Sequence, residues 1–74
     1  MIKVDFYSGY KGEEKPSKIF NGNDQIEVKR ILSSELHQNI ADSKKYRIFV
    51  IEASDGRIIK LVEGKEGWQM SLLS

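Results

Sequence analysis

The chain has 74 residues, no Cys, and twelve basic against eleven acidic residues, for a formal charge of +1. That length fits a single domain, 1–74, with a thin core, and the missing Cys removes disulfides and thiolate metal sites. Balanced charge lacks the basic excess of a nucleic-acid or membrane binder, and a thin core leaves little room for a buried active site.

Ile2, Val4 and Phe6 alternate with Lys3, Asp5 and Tyr7. A period of two is the signature of a half-buried strand. Gly9, Gly12, Glu13, Glu14 and Pro16 then predict a loop or bulged turn. Ser17 to Phe20 is a short extended segment starting at an edge, because Pro16 has no N–H to give a ladder. Asn21-Gly22 predicts a tight hairpin turn.

Gln25 to Leu32 reads as strand, with β-branched Ile26 and Val28 following that turn. The next stretch is ambiguous. Val28, Leu32, Leu36 and Ile40 recur every fourth residue, Ile31 shares their face, and Asp24 with Glu27 resembles a capping box. A short helix over 33–41, or a longer one over 25–41 laid across the sheet, competes with strand. Asp42 to Lys45 ends the segment either way.

Ile48 to Ile51 is a continuous β-branched and aromatic run, read as a strand covered on both sides. Asp55-Gly56 gives a second hairpin turn. Arg57 to Glu63 is the partner strand, Gly64 to Gly67 turns again, and Trp68, Met70 and Leu72 alternate in a last strand. Three strands joined by short turns form an antiparallel meander. The expected fold is mainly β: a small antiparallel twisted sheet, or an open barrel, of five to six strands. The competing architecture is α+β with the 25–41 helix. Closure of the last strand on the first is favoured over a free C-terminal edge.

The chemistry-bearing residues are sparse. Gly9-Tyr10-Lys11-Gly12 lacks the pattern of a phosphate loop, and Glu13-Glu14 would repel an anion. Adjacent carboxylates in extended chain point to opposite sides, so Glu13 and Glu14 do not form an acid/base pair. His37 is the only histidine, and a surface role is expected for it. No catalytic residue, metal site or cofactor is expected. Aromatics interleaved with cations (Tyr7, Tyr10, Phe20, Tyr46, Phe49 and Trp68 near Lys11, Lys15, Lys18, Lys44, Lys45 and Arg47) allow a second reading, weak single-stranded nucleic-acid binding. The rings Phe6, Phe20, Phe49 and Trp68 are, however, needed inside so small a core. The candidate interaction surface is Tyr7, Tyr10, Lys11, Tyr46 and Trp68, the last of these competing with a place in the core.

Ser8-Gly9-Tyr10-Lys11-Gly12-Glu13-Glu14-Lys15-Pro16, Ile26-Glu27-Val28 ahead of Ile31-Leu32, Tyr46 to Val50, Asp55-Gly56 and Trp68 together resemble a family of short, uncharacterised bacterial proteins, a domain of unknown function. The resemblance implies a prokaryotic cytoplasmic protein and strand for Gln25 to Leu32. It brings no activity, and it departs where the family pattern has a Trp shortly after Ile31-Leu32 and this chain has Ser33-Ser34-Glu35-Leu36-His37. No apolar run approaches the roughly 20 residues of a membrane span, and Met1 to Ser8 lacks an apolar signal region. The expectation is a cytoplasmic, non-enzymatic binding or adaptor domain that contacts an unknown protein partner or self-associates. Nucleic acid is the disfavoured partner, and a membrane is not expected.

Overall fold

The computed structural model describes residues 2–8, 14–38, 41 and 44–74, without the side chains of residues 8 and 14. Six antiparallel strands follow one another around a closed barrel. They are β1 (Ile2–Ser8), β2 (Glu14–Asn21), β3 (Asp24–Gln38), β4 (Lys45–Ala53), β5 (Ile58–Gly64) and β6 (Gly67–Leu72).

The alternation in β1 does what its period dictates. Val4 is buried and Phe6 packs on the core, while Tyr7 is exposed. Inside the barrel, Val4, Ile19, Ile26, Phe49, Ile51, Ala53, Ile59 and Leu61 form one buried cluster. Ile19, Ile51, Ile59 and Leu61 are sealed from water. β4 departs from its sequence reading. Its continuous apolar run alternates between buried Phe49, Ile51 and Ala53 and half-buried Ile48 and Val50. Only the barrel interior covers it fully, so its outer residues rely on lateral neighbours such as Val62 opposite Ile48.

β2 begins earlier than expected and carries Pro16 inside it. The ladder from β2 to β3 covers only Lys18 to Asn21. Pro16 therefore sits where β2 has β1 on one side and, among the described residues, no β3 pairing on the other. A register shift faces Asp5 and Phe6, and the Ser17 hydroxyl there donates to the Asp5 carbonyl at 3.2 Å. The bulge accommodates the ring without ending the strand.

Residues 33–38 are strand, and neither the short nor the long helix forms over the described residues. Leu36 is the only apolar residue between Ser33 and Gln38, so a helix there would have almost nothing to bury. The edge of β4 offers a hydrogen-bond ladder instead, from Ser33 opposite Val50 to Gln38 opposite Lys45. The fourfold spacing that suggested a helix has another origin. Register shifts between Val28 and Arg30 and between Ile31 and Ser33 insert extra residues, one of them Leu32. These two bulges bend β3 from its pairing with β2 onto β4. Ile40 lies outside the described residues.

The tight turns are set by glycine. Asn21 pairs with Asp24, which makes Gly22-Asn23 the turn centre, one residue beyond the expected Asn21-Gly22. Gly22 has φ +63°, in the left-handed region that Asn also tolerates. Gly67, opening β6, has φ +117°, which side-chain-bearing residues avoid. No atom would crowd an added Cβ at either position, so the backbone alone decides the outcome. Gly67→Ala is expected to lower stability by about 1–3 kcal/mol, and Gly22→Asn by far less. Urea unfolding of the two variants checks that order; equal losses would refute it.

The barrel is closed, not open. β6 meets β1 through Ile2 opposite Trp68, the single register pair of this joint among the described residues. Antiparallel pairing spends both strands quickly here, because β1 starts at Ile2 and β6 starts at Gly67. Side chains add to the closure: the Phe6 and Trp68 rings lie 5.7 Å apart, centre to centre.

Candidate interaction surface

Two features stand out from the ordinary barrel wall. The first is an aromatic end. Phe6, Phe49 and Trp68 form a triangle of tilted rings, with centroid distances of 5.7–6.2 Å. Tilted pairs suit the ring quadrupoles. The guanidinium of Arg47 lies over two of them, 4.7 Å from the Phe6 centroid and 5.6 Å from that of Trp68. Its Nη2 donates to Glu63 Oε2 at 2.9 Å and its Nε to Glu63 Oε1 at 3.1 Å. The Arg47 backbone N–H adds a third bond to Oε1 at 3.2 Å. A bidentate carboxylate thus fixes a cation on an aromatic floor.

The hydrogen bonds from the Arg47 side chain hold the Glu63 carboxyl below its usual value of 4.5; partial burial opposes them, and charge attraction and the Arg47 N–H reinforce them. A folded-state value below the unfolded one means stability that is complete above about pH 4.5 and is lost as pH falls through the folded value. Asp55 behaves in the same direction, chiefly because it accepts the Arg57 backbone N–H. Glu63→Gln is therefore expected to flatten, but not abolish, the acid-side loss. Urea midpoints from pH 6 down to pH 3 read it; a variant curve parallel to wild type would disprove the linkage.

The second feature is an arm. β3 spans 15 residues. Beyond Glu27 it has β4 on one edge and, among the described residues, no strand on the other. Its last residues, Leu36, His37 and Gln38, pair with Arg47, Tyr46 and Lys45, which lie past the end of the β4–β5 ladder at Ile48. The principal-axis extents are 39 × 29 × 20 Å. Leu36 is 65% exposed and Leu32 48%. On the outer face of the arm, His37 stacks on Tyr46 with centroids 5.2 Å apart and ring planes 12° from parallel. His37 Nε2 lies 3.3 Å from Glu35 Oε2. Nearer the barrel, Arg30 Nε meets Glu52 Oε1 at 2.8 Å.

The expected surface residues fall into different places. Tyr7 faces outward on β1, and Tyr46 faces outward on the arm. Trp68 is half-buried and turned to the core under Arg47. Tyr10 and Lys11 lie outside the described residues. Phe49 is buried and Phe20 half-buried. Sequence reasoning missed the Arg47–Glu63 clasp and the open edge of β3. The clasp was within reach: in the hairpin closed at Asp55-Gly56, Ile48 faces Val62, and the next pair out is Arg47 with Glu63. The open edge had no such signal, since it depends on β3 leaving β2.

Among the described residues, no group of three or more His, Asp or Glu is placed to hold a metal ion. A shallow, open concavity of about 410 Å3 runs along the β5–β6 turn, from Gly64 to Gln69, and presents Lys65 and Glu66 together. Among the described residues, no helix is long and apolar enough to cross a membrane. No family model, curated protein or solved structure matches the chain.

Proposed function

We propose that this chain is a non-enzymatic binding or adaptor domain that makes protein–protein contacts through the β3–β4 arm. One observation carries the reading: beyond Glu27 the arm presents a strand edge that no strand among the described residues pairs, flanked by exposed Leu32 and Leu36. Such an edge accepts an added strand, with backbone bonds giving affinity and alternate side chains giving selectivity. The resemblance to short bacterial proteins of unknown function, and the cytoplasmic setting it implies, belong to the same proposal. Nucleic-acid binding draws less support, because Tyr7 and Tyr46 stand on strands that are not neighbours in the barrel, and Trp68 turns inward.

A photo-crosslinking residue at position 36 is expected to capture protein in a bacterial lysate, either another chain or a second copy. The same residue at Ser71, exposed on β6, is the control and should capture little. Equal or absent adducts at position 36 would remove the proposal.

A further inference from the structure

Resting on the arm reading, we propose that the partner of the β3 edge is a second copy of this chain, paired antiparallel about a two-fold axis through Leu36. The run from Ser33 to Gln38 lies past both bulges and is regular. It contains no Pro and no Lys and has one carboxylate, Glu35. Natural edges are commonly blunted by Pro, by charged side chains, above all Lys, or by bulges, and of these the stretch has only Glu35.

Register then decides the occupant. Glu35 and His37 share the outer face with their β4 partners Ile48 and Tyr46, and Ser34, Leu36 and Gln38 share the other. An antiparallel symmetric pair keeps faces matched only if a residue, not a bond between residues, sits on the axis. Centring on Leu36 sets Leu36 against the second copy's Leu36. It also sets Glu35 against the second copy's His37 and Ser34 against its Gln38. The two most complementary polar groups of the arm thus meet twice, and its most exposed leucine is covered. Centring on Glu35 would oppose two carboxylates. Centring on His37 would oppose two imidazoles and set Leu36 against Gln38. Centring on Ser34 would draw the bulged Leu32 into the ladder. Of the four registers centred on Ser34 to His37, that on Leu36 alone avoids these faults. The result is an isologous interface that extends the sheet through β4 and β3 into the second copy's β3 and β4. A five-residue pairing, Ser34 to Gln38, is small beside a standard stable interface, so the dimer is weak and depends on concentration.

Sedimentation velocity and light scattering on the full chain test it, over a wide concentration range. Wild type is expected to move from monomer to dimer. Leu36→Lys and Leu36→Glu should each weaken dimerisation by roughly tenfold or more, because like charges then face each other on the axis. Position 36 is largely exposed, so both variants should keep the wild-type circular dichroism. An equimolar mixture of the two should recover association as a heterodimer, which happens only if position 36 faces position 36. Wild type that stays monomeric, variants that dimerise like wild type, or a mixture that stays monomeric would each overturn the proposal. A monomeric wild type whose position 36 still captures another protein would overturn this proposal alone and leave the arm reading standing.

Discussion

Ile51→Ala is expected to lower the unfolding free energy by about 2–5 kcal/mol, and so to leave a large share of the chain unfolded. Ile51 is wholly sealed from water. It stands in the middle of β4, opposite Ile31 on β3 and Ile59 on β5. Removing three carbons there loses their transfer free energy and leaves a hole that two ladders prevent from collapsing. A single core in a chain this short rarely contributes more than about 3–5 kcal/mol of net stability. The loss is therefore comparable with the whole. Urea unfolding followed by far-ultraviolet circular dichroism reads it. A variant within about 1 kcal/mol of wild type would mean that the core relaxes far more freely than close-packed interiors do.

Trp68→Ala is the second large effect, about 3 kcal/mol or more by analogy with other large aromatic truncations. The indole does two jobs at once. It packs on Phe6 and Phe49, and it forms part of the floor under Arg47, at the residue whose backbone supplies the β6 side of the β1–β6 joint. Trp68→Phe keeps a ring in the cluster and should lose markedly less. Gln69→Ala, exposed on the next position, should lose almost nothing. If all three variants melt together, the aromatic end contributes little and the barrel is held by its ladders alone.

The strand that carries Ile51 is legible in the sequence. The alternation of Ile2, Val4 and Phe6 points to one buried face, and the Asp55-Gly56 turn and the apolar run around Ile51 each point to one backbone state. Local preference and global packing agree there, and the strands follow. β3 was harder because its period is broken twice by bulges, and a broken period of two imitates a period near four at Val28, Leu32 and Leu36. What resolved it was a neighbour: the edge of β4 needed a partner, and residues 33–38 had too little apolar surface to do anything else. The proposed surface was legible only in part. Tyr46 lies on the arm, but Trp68 is a core residue, and nothing local in the sequence tells an inward ring from an outward one at the end of a barrel. The free edge of β3 is a property of topology. It exists because β2 and β3 part company after Glu27, which no stretch of sequence read alone reports.

The slender joint between β1 and β6 has a kinetic meaning. Among the described residues, every other neighbouring pair is held by several rungs in succession, whereas this one has Ile2 opposite Trp68 and the rings beside it. A cylinder hinged so unevenly opens first where it is thinnest, so the amide protons of β1 and β6 should trade with deuterium sooner than those shared by β4 and β5. The ring of strands then behaves as a curled sheet fastened by one stitch, and unravelling begins at that stitch.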